Sequence, residues 1–272
     1  MEKMLRKISL DDIEIPNIPD IAVRVLALLE DEYCPLKRLE EFILEDQALT
    51  AYILRIANAP FYKSGKSINT LTDAIMTIGM HNIVALVSII SLISQAATEG
   101  QDTDLMRHAI AASTASALIA RHAKVVTEDD ALIAGLLHDI GKLVLFANAP
   151  SHYKAAKEKV KKEKRPFAEI ENELFGFDHC DIGCMVARKW RLPGLYEHTI
   201  RHHHDEEIKN FTDSQTIGYD DLLCSIVRLA DKVVLDAGAG IGKSTEKNPQ
   251  ELLDLLKIGE SVYIEIAKKI GG

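Results

Sequence analysis

The 272-residue chain is 47% apolar and 27% charged, a composition that supports one large or two modest globular units and excludes a disordered segment. Its formal net charge of -9 argues against a dedicated nucleic-acid binder, because neutralising phosphates takes clustered Lys and Arg. Cys34, Cys180, Cys184 and Cys224 are too few and too scattered for a disulfide framework and point to a reducing cytoplasm. The longest uncharged stretch, residues 82–97, falls short of the ~20 apolar residues that cross a bilayer, and residues 1–16 have a basic start but no apolar signal core, so no membrane partner is expected.

Apolar residues recur at three- and four-residue spacing almost throughout, without strand-type alternation, so the expected fold class is all-α. Pro19-Asp20 opens a helix over IAVRVLALLE, Pro35 stands at the start of the next, and Asp46 caps QALTAYILRIAN. Residues 59–69 read as a loop. Thr70 then caps LTDAIMTI, and Gly79 closes it in a left-handed conformation. A buried helix follows from about His81 to Ala97, and the polar stretch after it marks the expected boundary between an N-terminal lobe, 1–98, and a second lobe, 99–272.

In the second lobe a helix spans Asp104 to His122, and Thr127 with Asp130 starts another over ALIAGLLHDIGKLVLFA. The basic run Lys154 to Arg165 reads as a solvated helical face. Asp178 caps a helix to Trp190, Pro193 starts one running into RHHH, and Tyr219 to Leu235 and Glu251 to Ile270 complete the set.

The doublet His138-Asp139 puts two polar side chains into an apolar run, where an unpaired buried carboxylate costs several kcal/mol. On a helix, neighbours point about 100° apart, so the pair needs ligands from other helices to hold a metal. His108, about one helix hairpin earlier, and Asp231, an acid on the apolar stripe VRLADKVV, offer them. Together they give N and O donors suited to Zn, Mn or Fe at an open site. His179 and the pair His203-His204 can supply a second ion, with Asp139 bridging two ions as in centres for in-line phosphoryl displacement. Lys142, on the same helical face as the doublet, is placed to meet a phosphate oxygen. The competing readings are structural. Asp231 can pair with Arg228, Asp104 can be a helix-start acid rather than a further ligand, His202 is the member of the 202–204 run expected to be left out of the ligand set, and Cys180 with Cys184 are buried helical cysteines rather than a zinc pair.

The order His108, HDIGK at 138–142, His179, His203-His204, Asp231 resembles the ligand pattern of the HD superfamily, closest in ligand count to HD-GYP phosphodiesterases. The N-terminal IPNIPDIAVRVLALLED, EDQALTAYILRIANAPFY and SINTLTDAIMTIGMHNIVAL are similar to HDOD domains, with Asn58 and Phe61-Tyr62 as packing landmarks. The likeness runs from about Ile13 to His204. It implies a helical bundle of two lobes and a regulatory role in signal transduction, with a signalling protein as partner. It also implies a centre of two divalent transition-metal ions (Fe, Mn or Zn) on His108, His138, Asp139, His179, His203, His204 and Asp231.

The alternative it implies is an active metal-dependent phosphohydrolase taking a phosphate-containing small molecule, with Asp139 and Lys142 as catalytic residues. Many HDOD proteins have lost the ligands that this chain keeps. After His203-His204 the chain reads DEEIKNFTDSQTIGYDD, without the Gly-Tyr-Pro element of the phosphodiesterases. A third reading is a scaffold that dimerises through residues 84–93.

Overall fold

The computed structural model describes residues 8–17, 36–58, 67–79, 83, 86, 87, 90, 103–205, 217–246 and 248–271. Among them the regular structure is helical and no strand occurs. The chain divides into two compact units, Asn17–Gln101 and a second made of Asp102–Gly272 with Met1–Pro16. The helix expected after Pro19, the Pro35 start, the landmarks Phe61-Tyr62 and the stretch 206–216 lie outside the described residues, as does most of the proposed dimerisation stripe. Of the helix expected at 81–97, Ile83, Leu86, Val87 and Ile90 are described, and all four are helical and buried.

In the first unit, α1 (Leu36–Leu44), α2 (Gln47–Ala57) and α3 (Leu71–Ile78) pack on one another. The starts follow the expected capping chemistry. The Asp46 carboxylate accepts from the Leu49 N–H at 3.0 Å and Thr70 Oγ1 accepts from the Asp73 N–H at 3.1 Å, each satisfying an otherwise orphaned first-turn donor. Gly79 ends α3 at φ 91°, a conformation glycine adopts without strain. Asn58 ties the end of α2 to residue 68, donating to Ile68 O and accepting from its N–H.

The second unit is built from α4 (Thr103–Ala123), α5 (Glu128–Leu137), α6 (Ile140–Asn148), α7 (Pro150–Glu163), α8 (Phe167–Phe175), α9 (His179–Lys189), α10 (Gly194–His202), α11 (Tyr219–Asp236), α12 (Gln250–Leu256) and α13 (Glu260–Gly271). Alanine and serine along α4 let α5 and α11 approach it closely, and α9 packs between α6 and α10. Residues 9–16 lie on this unit: the Glu14 N–H donates to Asn148 Oδ1, and the Trp190 indole donates to Pro16 O at 3.0 Å. No described helix is long and apolar enough to cross a membrane.

Two expectations are corrected. The run ALIAGLLHDIGKLVLFA is not one helix: it breaks at the doublet, with His138 ending α5 and Asp139 at φ -101°, ψ 15° before α6. The run 251–270 is likewise two helices, because Lys257 takes the left-handed conformation at φ 54° and closes α12 ahead of Gly259. The basic run 154–165 does face solvent. On α7 only Tyr153, Ala156 and Val160 are buried, while Lys159 and Arg165 pair with Glu163, Glu169 and Glu173.

Candidate metal centre

The break between α5 and α6 turns the doublet inward together. In a continuous helix the two side chains would diverge by about 100°, whereas here His138 Nε2 and Asp139 Oδ2 lie 3.4 Å apart. From α4, His108 Nε2 comes within 3.3 Å of His138 Nε2 and 3.3 Å of Asp139 Oδ2. From α11, Asp231 Oδ1 lies 3.2 Å from His108 Nε2 and 3.9 Å from His138 Nε2. His108, His138 and Asp231 thus bring three donor atoms together closely enough to hold one ion, with Asp139 Oδ2 beside the two imidazoles.

The other oxygen of Asp139 faces a second cluster. Asp139 Oδ1 is 3.2 Å from His179 Nε2 and 3.6 Å from His203 Nε2, and His179 Nε2 is 3.0 Å from His204 Nε2. The seven residues anticipated as ligands therefore cluster: His108 and His138 lie beside one carboxylate oxygen of Asp139 and His179 and His203 beside the other, while Asp231 stands against His108 and His138, and His204 against His179. His203 keeps helical backbone at the end of α10, its N–H bonded to Thr199 O, and the turn that follows sets His204 against His179. His202 itself turns to Asp205 at the surface. Arg228 pairs with Glu246, not Asp231, and Asp104 pairs with Arg107 and Lys157 in the first turn of α4. Cys184 Sγ faces the Glu197 carbonyl, while Cys180 Sγ lies 4.0 Å from His203 Nδ1, beside the second cluster.

The backs of the rings are held as metal-binding imidazoles require. His138 Nδ1 is bonded to Gly135 O at 2.7 Å and His203 Nδ1 to Ile200 O at 3.0 Å. His179 Nδ1 and its backbone N–H both meet Glu171 Oε2, and His204 Nδ1 meets Thr245 Oγ1 at 3.3 Å. In these four rings the oxygen at Nδ1 leaves Nε2 as a lone-pair donor toward the centre, whereas His108 Nδ1 is buried without a hydrogen-bond partner among the described residues. Asp139 Oδ1 and His203 Nε2 are fully buried with no hydrogen-bond partner, an arrangement that costs ~1–3 kcal/mol per group when nothing binds there. On these observations the residues fit divalent metal. Glu171 was not anticipated, although it carries the signal used for Asp231: an acid on the apolar stripe of Phe167, Ile170 and Glu171 in α8.

Two glycines make the convergence possible. A Cβ on Gly141 would lie 1.9 Å from His179 O, so bare backbone there lets α9 close onto α6 and carry His179 to Asp139, and one on Gly183 would lie 2.6 Å from Ile200 Cγ2, so that glycine lets α10 close onto α9. Lys142 is buried with its ammonium 2.7 Å from Asp139 Oδ2 and over the Phe167 ring. An opening lined by Asp104, His108, Asp139, Lys142, His204 and Asp231 connects the cluster to solvent.

Burial opposes charge on every group here, and the neighbours decide the outcome. His138 follows burial and is pushed down to about 3, and burial also holds His204 well below the ordinary imidazole range. In His108 burial is outweighed by hydrogen bonds and charge from Asp139 and Asp231, raising it to about 9. His203 is raised against burial to about 9 by Cys180 and Asp139, and His179 is raised by Glu171. Burial would lift Asp139, but the Lys142 ammonium and the surrounding imidazoles hold it well below the carboxylate range.

Without metal the folded chain thus keeps protons on His108, His179 and His203 that the unfolded chain releases near pH 6.5. His138 and His204 are neutral in both states above that pH and add no slope. Metal-free protein should therefore lose stability as pH rises from about 6.5 to about 9. Metal-loaded protein, whose imidazoles have already surrendered those protons, should not follow. Thermal melts with and without chelator across this window check the difference.

An HDOD domain model matches residues 15–206. In sequence the chain is 24% identical over 199 residues to an uncharacterized protein of Treponema pallidum, covering 71% of this chain and 38% of that one. It is 28% identical over 189 residues to ribonuclease Y of Lactobacillus gasseri, covering 69% and 27%. The chain thus spans less than two fifths of the length of either relative. In structure it resembles an HDOD domain protein of unknown function from Geobacter sulfurreducens, with TM-score 0.66, 23% identity and coverage of 94% and 92%. It also resembles a protein of Shewanella amazonensis named as a candidate metal-dependent phosphohydrolase, with TM-score 0.67, 20% identity and coverage of 96% and 92%. At these identities the structural likeness is one of fold.

Proposed function

Because the chain belongs to the HDOD family, we propose that it is a signal-transduction protein whose second unit holds two divalent transition-metal ions, Fe, Mn or Zn, and binds a phosphate-bearing small molecule beside them. The observation that carries this is the division of Asp139: one oxygen faces His108 and His138, the other His179 and His203. In this reading His108, His138, Asp139 and Asp231 hold one ion, and Asp139, His179, His203 and His204 the other. Glu171 fixes the His179 ring, and Lys142 keeps Asp139 anionic while standing at the opening to meet an incoming phosphate oxygen. A signalling protein would read the occupied state.

A second reading, metal-dependent phosphohydrolase, is favoured by the open approach to these residues. When bound, such ions supply Lewis-acid polarisation of a phosphoryl group and a nucleophile at neutral pH. The chain's own share would be to orient the phosphoryl group with Lys142 and to exclude bulk water with Phe167 and Tyr153, which also line the opening.

Elemental analysis of protein purified without chelator tests the proposal. Close to two transition-metal ions per chain are expected, falling to about one in His138→Ala. Absence of metal from the wild type refutes the centre. Turnover of bis-p-nitrophenyl phosphate that disappears with the metal would establish the hydrolase reading, and metal-loaded protein with no turnover would leave binding as the role.

A further inference from the structure

Residues 237–246, between α11 and α12, read AGAGIGKSTE and form a glycine-rich strap at the rim of the centre. Three glycines let it lie where it does. Gly238 and Gly242 sit at φ 75° and 98°, and a Cβ on Gly240 would come within 2.7 Å of His108 Nδ1 and 2.6 Å of Leu235 Cδ2. The strap's far end is pinned twice. Thr245 Oγ1 meets His204 Nδ1, and Glu246 Oε2 pairs at 2.9 Å with Arg228, a guanidinium buried one turn before Asp231. Leaving that cation unpaired would be costly, so the strap is anchored beside both halves of the ligand set.

Just ahead of these anchors stands Lys243, exposed, lining the same opening as Lys142. It has no ion-pair partner among the described residues, unlike Lys142, which is held by Asp139, and Lys157, which is held by Asp104. Asp104, the acid at the outer edge of the opening, is already bonded to Arg107 and Lys157. In a chain of net charge -9, this rim therefore carries an uncompensated positive charge over an opening that leads to phosphate-seeking chemistry.

We infer that Lys243 is a ligand-binding residue that takes a second anionic group, so the molecule received here carries two phosphate groups: one facing Lys142 and the seven ligands, the other at the strap. The inference rests on the binuclear reading above and deepens it by naming the substrate class, a diphosphate or bis-phosphorylated small molecule. A mobile lysine on a backbone strap grips phosphate as a point charge and tolerates varied substituents.

The test is calorimetric titration of dialysed, metal-loaded protein with inorganic phosphate and with imidodiphosphate, which resists hydrolysis, with metal content measured before and after each titration. Wild type is expected to bind imidodiphosphate at least about tenfold more tightly than phosphate. Lys243→Ala should lose about tenfold for imidodiphosphate and little for phosphate, with unchanged metal content. Lys243→Arg should restore the preference, and the difference should shrink with added salt. Equal imidodiphosphate affinity in wild type and Lys243→Ala, or no preference for the diphosphate in metal-loaded wild type, overturns the inference while leaving the metal centre standing. Loss of metal in Lys243→Ala overturns it as well, by making the strap a structural cover. Wild type that holds no metal overturns the underlying reading, and this inference falls with it.

Discussion

Asp139→Ala should empty both halves of the centre at once, whereas losing any single histidine should weaken mainly its own half. The asymmetry follows from geometry. Asp139 Oδ2 lies among His108 and His138, and Oδ1 among His179 and His203, so in the proposed binuclear centre this one side chain would serve both ions. It is also the counter-charge of the buried Lys142 ammonium at 2.7 Å. Removing one partner of a buried ion pair leaves the other charge uncompensated, at a cost of about 3–5 kcal/mol. Two readouts should therefore move together in Asp139→Ala: metal per chain drops toward zero, and the chelator-treated protein melts lower than wild type treated alike. Glu171→Ala gives the contrast. It releases the His179 ring without touching a ligand, so affinity for one ion should fall about 10–100-fold while the other stays bound. If Asp139→Ala retained a full metal complement, the bridging assignment would be wrong. If Glu171→Ala lost both ions equally, the division into two shells would be wrong.

Much of this centre could be read from residue order because burying a charged or imidazole side chain demands a reason, and the chain repeats that demand at His108, His138, Asp139, His179, His203, His204 and Asp231. Helix starts were legible for the same local reason: Asp46, Thr70, Thr127 and Asp178 each accept from first-turn N–H groups. What periodicity concealed was the interruption of helices. The run through His138-Asp139 keeps its apolar spacing across the break, so nothing in the pattern separates α5 from α6, yet that break turns both side chains to one point. The end of α10 passes equally without a signal just before His204, while His203 still keeps helical backbone. In 251–270 the pattern again continues across Lys257, whose left-handed backbone is a tertiary choice that lysine does not advertise. Glu171 was overlooked because α8 had not been recognised as a helix, so its apolar stripe had no frame. The strap at 237–246 has no periodicity at all, and its role appears only once His108, His204 and Arg228 are placed around it.

Gly141→Ala is expected to be the most damaging single methyl in the second unit. The added Cβ would sit 1.9 Å from the His179 carbonyl oxygen and 2.8 Å from the Gly183 nitrogen. Both are backbone atoms of α9, so no side-chain rotation relieves the clash and the helix must retreat by an ångström or more. Overpacking of this kind costs about 1–3 kcal/mol and can exceed that range, which for a unit of this size lowers the melting temperature by roughly 2–4 °C per kcal/mol. The retreat also draws His179 away from Asp139, now 3.2 Å apart, while α4, α5 and α11, which carry His108, His138 and Asp231, keep their packing. The variant should therefore be destabilised even in chelator, and when metal is restored it should regain the ion on His108, His138 and Asp231 but bind the second weakly. Gly135→Ala serves as the control. Its Cβ would meet Ser116 Oγ at 2.5 Å and Ala112 O at 2.8 Å, pressing α5 off α4 and so disturbing His108 against His138 instead. Weakening of opposite ions by two identical substitutions six residues apart would separate helix spacing from general instability, because a merely unstable fold would lose both ions in both variants.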